Sequence, residues 1–151
     1  MIQRIQTLFL LGVAVLSGLM LTGDIVMMDS GGGTLFSINF MGLAEEGGPL
    51  LQRLWPLTFL LALVPLLALV AVFLYRKRTV QMRITMIVLL LSLGTLLLGA
   101  FYVVMFDRKI DITILWNVRV LFPLISAILA WLAHRAILRD ELLIKSYDRL
   151  R

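Results

Sequence analysis

Two long apolar runs, Leu50–Leu74 and Ile84–Phe106, are separated by only nine residues, Tyr75–Arg83, and four of those nine are cations: Arg76, Lys77, Arg78 and Arg83. Each run is long enough to cross a hydrocarbon layer of ~30 Å at ~1.5 Å per helical residue. A link this short makes the two runs antiparallel neighbours. Its charge places it on the cytoplasmic side, because lysine and arginine are retained there. Everything else in the chain can be threaded from that hairpin by alternation.

The composition leaves little room for a soluble alternative. Hydrophobic side chains make up 61% of the chain and charged ones 15%, against roughly 45–50% apolar and 25% charged in soluble domains. Mean hydropathy is +1.01. The few charges are clustered, so they cannot coat a water-facing surface. The net charge of +5 lies beside the ends of the apolar runs, where anionic headgroups attract it. The basic stretches lack the interleaved aromatics that stack on bases, which argues against a nucleic-acid partner. There is no cysteine, so disulfides and thiolate metal sites are excluded.

Taken in order, a first span is expected over about residues 5–28, behind the basic start Met1-Ile2-Gln3-Arg4. Its apolar stretch exceeds the ~7–15 residues of a secretory signal core and has no small-x-small cleavage site, so it reads as a retained anchor. Residues 29–49 form the longest polar segment. Within it Phe36, Ile38 and Phe40 alternate, which predicts a short extended piece over Phe36–Phe40. Such a piece needs a pairing partner, and the similarly alternating Lys109–Thr113 is the candidate. The second span is expected over 50–75, with Pro56 in its first turns and Pro65 kinking its middle. The third covers 84–106, the second outer loop 107–114 and the fourth span 115–138. A charged, helix-prone tail follows over 135–151, with the cytoplasmic turn at 76–83.

Basic residues collect on one side of this layout and acidic ones on the other, so both termini are expected inside. Small residues recur at helical spacing, notably Ala14, Gly18 and Thr22, then Ser92, Thr95 and Gly99, then Ser126 and Ala130. They mark faces where helices approach closely. Leu54-Trp55-Pro56-Leu57 resembles Leu121-Phe122-Pro123-Leu124, which suggests a parallel internal repeat. Asp24, Arg53, Asp107, Asp111 and Arg119 form a candidate outer charge cluster. Within it Arg119 is expected to point into the helices and pair with Asp24 in preference to Asp111. Arg76, Lys77, Arg78, Arg83, Arg149 and Arg151 form a candidate cytoplasmic docking surface.

Catalytic chemistry is not visible. His134 is the only histidine, has no carboxylate in the adjacent turn, and reads as a solvated interfacial residue. Gly31-Gly32-Gly33 precedes a strand-like segment where a phosphate cradle would precede a helix. No nucleophile–base pair or deep carboxylate pair occurs, so no metal or cofactor is expected and the chain does not read as an enzyme.

The opening Met1-Ile2-Gln3-Arg4-Ile5-Gln6-Thr7, the closing Lys145-Ser146-Tyr147-Asp148-Arg149-Leu150-Arg151 and the four-run layout between them resemble an uncharacterised family of small bacterial inner-membrane proteins with four spans. The resemblance implies a cytoplasmic-membrane location and no particular activity. The expected fold is therefore an all-α integral membrane protein, a bundle of four transmembrane helices with both termini inside and a short extended outer loop. The expected role is a non-enzymatic structural or accessory subunit of a membrane complex, in contact with anionic lipid headgroups and with other membrane proteins or further copies of itself. The alternative is a small oligomeric transporter or channel-like protein that uses the outer charge cluster.

Overall fold

A computed structural model describes residues 2–30, 34–75, 77–108, 113–115 and 117–148. The fold is not all-α. Four helices, α1 (Ile2–Leu19), α2 (Trp55–Phe73), α3 (Arg78–Asp107) and α4 (Phe122–Asp148), carry a five-stranded antiparallel sheet at one end. The strands are β1 (Val26–Asp29), β2 (Leu35–Asn39), β3 (Gly42–Glu45), β4 (Leu50–Arg53) and β5 (Thr113–Leu115), in the spatial order β4-β3-β2-β1-β5.

The sheet takes residues that the sequence assigned to helices. The apolar run that was to carry the first span to residue 28 breaks after Leu19, and Val26–Asp29 becomes a strand. Thr22-Gly23-Asp24 supplies the break, a cluster of residues that favour turns. Leu50–Arg53, expected as the start of the second span, is an edge strand beyond the turn at Glu46-Gly47-Gly48. Phe36–Phe40 is extended over Leu35–Asn39 as expected, but its partners are β1 and β3. Short connections make adjacent hairpins the cheaper pairing in loop-closure entropy. The second outer loop still joins the sheet, through β5 against β1, while 109–112 lie outside the described residues.

Register fixes which face is buried. Val26 opposes Ile38, Met28 opposes both Phe36 and Ile114, and Ile38 opposes Leu43. These side chains share one face and pack on Met20, Leu54, Leu57, Leu61 and Phe106 at the helix ends. The β2–β3 turn depends on two residues. Asn39 Oδ1 accepts from the backbone N–H groups of Met41 and Gly42. Gly42 has φ of 139°, and a Cβ there would lie 2.2 Å from the Gln52 carbonyl oxygen.

The helices form a ring in which α1 packs on α2, α2 on α3, α3 on α4 and α4 back on α1. Each buries a seam with steps of four and three residues. The seams are Gln6-Leu10-Val13-Ser17-Met20, Leu57-Leu61-Val64-Ala68-Ala71, Gln81-Thr85-Val88-Ser92-Thr95 and Ser126-Ala130-Ala133-Ile137-Asp140. A 3.5-residue repeat keeps one stripe facing its neighbours along a whole helix. α2 continues as helix through Pro65, and Pro56 and Pro123 each occupy the second position of a helix, where a missing N–H costs nothing.

Three helical segments, Trp55–Phe73, Arg78–Asp107 and Val118–Leu142, are long and apolar enough to cross a membrane. Ile5–Leu19 is a shorter apolar helix. Large side chains such as Leu8, Phe59, Phe73, Leu97 and Phe101 are exposed on the outside of the ring. That arrangement suits a surrounding solvent as apolar as the interior.

Candidate functional site: a chamber beneath the sheet

The expected charge cluster does not assemble in one place. Arg53 sits on β4, one edge of the sheet, with its guanidinium 5.2 Å from the centre of the Trp55 ring. Arg119 follows β5 in the chain and meets the turn that leads into β1, three places along the sheet from β4. Asp107 is exposed at the end of α3, and Asp111 lies outside the described residues.

Arg119 does reach Asp24, through the backbone. The residue falls in a 3-10 turn, Val118–Leu121, rather than in α4 itself. Its Nη1 donates to the Asp24 carbonyl oxygen at 3.2 Å, and Asn117 Nδ2 donates to the same oxygen at 3.0 Å. The guanidinium lies so close over Gly23 that a Cβ there would sit 2.0 Å from Nη1. The side chains of Asn117 and Arg119 thus tie the start of α4 to the turn between α1 and β1. A carboxylate partner for Arg119 was the expectation; the backbone carbonyl of Asp24, in the turn between α1 and β1, fills that place.

Behind this tie is a chamber of about 220 Å³. Its roof is the buried face of the sheet, through Val26, Ile38 and Ile114, and its floor includes Met20 and Leu57. Along α3 it is bordered by Thr95, Gly99, Val103 and Val104. Val104 and Ala100 are also exposed on the outer surface of the ring, so the chamber opens sideways past α3. Gly99 has nothing within 4 Å of a would-be Cβ, which marks the gap. In a sealed core an empty hollow of that volume would cost roughly 5 kcal/mol at ~24 cal/mol per Å³. The sideways mouth gives apolar matter access to it.

A smaller recess of about 10 Å³ adjoins the chamber, sharing Met20, Thr95 and Pro123 as walls. Four hydroxyl-bearing residues line it, Ser17 on α1, Ser92 and Thr95 on α3 and Ser126 on α4. Three of them donate to carbonyls of their own helices: Ser17 to Val13 at 2.6 Å, Ser92 to Val88 at 2.8 Å and Thr95 to Leu91 at 2.9 Å. Ser126 Oγ is buried with no hydrogen-bond partner among the described residues. The sequence marked Ser92, Thr95, Ser126 and Ala130 as packing faces, and all four are buried. Ser17, which completes the recess, was missed.

The basic end is built differently. Gln6 donates from Nε2 to Asp140 Oδ2, tying α1 to α4. Gln81 donates from Nε2 to the Ala71 carbonyl at 3.0 Å, tying α3 to α2 across the basic turn. His134, read from the sequence as a solvated interfacial residue, is half-buried, with Nδ1 3.3 Å from the Met82 carbonyl oxygen. Of the candidate docking residues, Lys77 and Arg83 are exposed and Arg78 half-buried at the start of α3. Arg76, Arg149 and Arg151 lie outside the described residues. A groove of about 400 Å³ between α1 and α4 joins Ile5, Phe9 and Leu132 to Arg135, Arg139 and Asp140. The arginines' i, i+4 spacing was the signal that could have found it. Among the described residues no group of His, Cys, Asp or Glu could hold a metal ion.

These features define a class: an α+β protein whose apolar helices carry a sheet at one end, with an apolar chamber between helices and sheet. The sequence matches the family described as Domain of unknown function (DUF4293) over residues 2–150, and the chain belongs to that family. Neither a curated protein nor a solved structure matches it.

Proposed function

We propose that this is a multi-pass protein of a bacterial cytoplasmic membrane that serves as a non-enzymatic accessory subunit, docking a larger membrane protein through its sheet. Three helices have the length and apolarity to span. α1 lies against two of them, α2 and α4, along its whole seam, so it would be carried through the same layer. The basic turn after α2 and the arginines of α4 then lie together at the end opposite the sheet, which supports a cytoplasmic placing of both termini.

The observation that carries the docking role is β4. It ends the sheet, and all four of its residues are exposed, Leu51 being the extra residue where the register against β3 shifts. An edge of this kind offers unpaired backbone groups to an extended segment of another chain. The occupant we favour is such a segment from a partner's extracytoplasmic loop. A photoreactive residue at Leu51 should crosslink in cells to one larger membrane protein that also co-purifies in mild detergent. Leu50→Asp with Leu51→Asp should abolish both while the thermal midpoint is retained. Crosslinks only to further copies of this chain would overturn the accessory reading.

A small oligomeric carrier is the second reading, and the chamber is what favours it. Its walls suit an apolar cargo, whereas the charge cluster invoked for ions is divided between Arg53 on β4 and Arg119 at the turn before β1.

A further inference from the structure

The chamber and its hydroxyl recess together describe a ligand. We propose that they bind an uncharged, lipid-soluble alcohol, with its apolar body in the chamber and its hydroxyl at Ser126. This inference is independent of docking at β4, and either can fail alone.

The apolar part follows from the walls. Among the described residues no ionisable side chain lines the chamber or the recess, so a charged ligand would be stripped of water with none of them to compensate it. An apolar cavity of ~150 Å³ stays dry and takes a molecule the size of benzene, and this chamber is larger, at about 220 Å³. Its mouth beside Ala100 and Val104 opens on the exposed apolar flank of α3, the flank that faces lipid if α3 spans. A ligand dissolved in the hydrocarbon therefore reaches it without crossing water.

The polar part follows from hydrogen-bond arithmetic. A serine or threonine hydroxyl has one proton to give and two lone pairs to offer. Ser17, Ser92 and Thr95, which line the recess, have committed their protons to backbone carbonyls, so any further hydrogen bond they make there is as acceptors. Ser126, only 1% exposed and without a partner among the described residues, still has its proton to give. The recess thus supplies one donor and up to three acceptors. An alcohol matches both halves, since its oxygen accepts from Ser126 and its proton goes to a neighbouring hydroxyl. A ketone uses Ser126 alone, and the methyl end of an acyl chain leaves it unsatisfied. Thr95, shared by both hollows, marks where the ligand changes from apolar to polar.

The test uses the full chain in phosphatidylethanolamine–phosphatidylglycerol nanodiscs, with a diazirine-bearing dodecanol and the matching dodecane as photoprobes. Labelling of the Leu96–Val104 and Pro123–Ala127 segments is read by mass spectrometry. The alcohol should label the wild type about tenfold more than the alkane, the ratio expected for one buried hydrogen bond. Ser126→Ala should bring that ratio close to one. It should not lower the thermal midpoint, because it removes an unpartnered group. Gly99→Leu, which adds bulk where a Cβ meets nothing, should abolish labelling by both probes in a protein that still melts cooperatively. An unchanged alcohol-to-alkane ratio in Ser126→Ala would show that a water molecule or nothing at all meets Ser126, and would overturn the proposal. Undiminished labelling in Gly99→Leu would place the ligand elsewhere, with the same consequence.

Discussion

The two ends of the helix ring solve the same packing problem with different materials. At the basic end the seams narrow to alanine, with Ala68, Ala71, Ala130 and Ala133 all fully buried against Leu10, Val13, Val64 and Val88. Small side chains let the helix backbones close up, and Gln6–Asp140 and Gln81–Ala71 add hydrogen bonds where the neighbouring surface is apolar. At the sheet end the seams carry Met20, Leu57 and Leu61, yet the helices enclose a chamber. There the sheet, not helix contact, closes the structure. Tight packing at one end and room at the other follow from which residues occupy equivalent seam positions.

That contrast can be broken most sharply by adding the same side chain to both ends. Ala130→Leu should destabilise the protein by roughly 3 kcal/mol, because a closed seam has no space for the added methylenes. Gly99→Leu adds as much bulk or more to the wall of the chamber, where a Cβ meets nothing within 4 Å. It should leave the thermal midpoint in detergent unchanged or raise it. Equal losses for the two variants would mean that the chamber collapses in solution and the ends are alike.

The polar ties at the basic end come next in size. Asp140→Ala should cost about 2 kcal/mol by leaving the buried Gln6 amide without an acceptor. Asp140→Asn keeps an acceptor oxygen and should recover most of the loss, which separates the hydrogen bond from the charge. Thermal unfolding of the two variants decides it, and no difference between them would remove the tie from the account.

How much of this could be read beforehand depends on the solvent the helices expect. In water a buried face is picked out by its apolar residues, but here the outside is as apolar as the inside. Leu8 and Leu97 on the outside look no different in sequence from Leu10 and Leu61 on the seams. The inside is marked by its small and polar residues, so Ser92, Thr95, Ser126 and Ala130 were legible as a packing face. Gln6 and Asp140 were not, because they are 134 positions apart and only the closing of the ring brings them together. The sheet was half legible. Phe36–Phe40 alternates plainly, whereas Val26–Asp29 and Leu50–Arg53 continue apolar runs that a short buried strand and a helix share. Their break signals, Thr22-Gly23-Asp24 and Gly47-Gly48-Pro49, outweigh the runs once a sheet is available to pair with. The chamber had no sequence signal at all, since a space between elements depends on how they are placed.

The smallest effects concern the tie across the sheet end, and they discriminate between two ways of holding Arg119. If its partner were the Asp24 carboxylate, Asp24→Asn and Arg119→Ala would both be costly. The geometry instead gives it the Asp24 carbonyl, which Asp24→Asn leaves in place. Asp24→Asn should therefore change stability by less than ~0.5 kcal/mol, within the range of an ordinary surface substitution. Arg119→Ala should cost about 1 kcal/mol, and no more, because Asn117 still donates to the same oxygen. Gly23→Ala supplies the third corner of the test. Its methyl would occupy the place of the guanidinium, and the flexible arginine would yield before the backbone does, losing the same hydrogen bond. Gly23→Ala and Arg119→Ala should then be non-additive, the double variant unfolding within ~0.3 kcal/mol of Arg119→Ala alone. Additive losses, or a costly Asp24→Asn, would restore the carboxylate as the partner and make the sheet end an electrostatic clasp, not a capped turn.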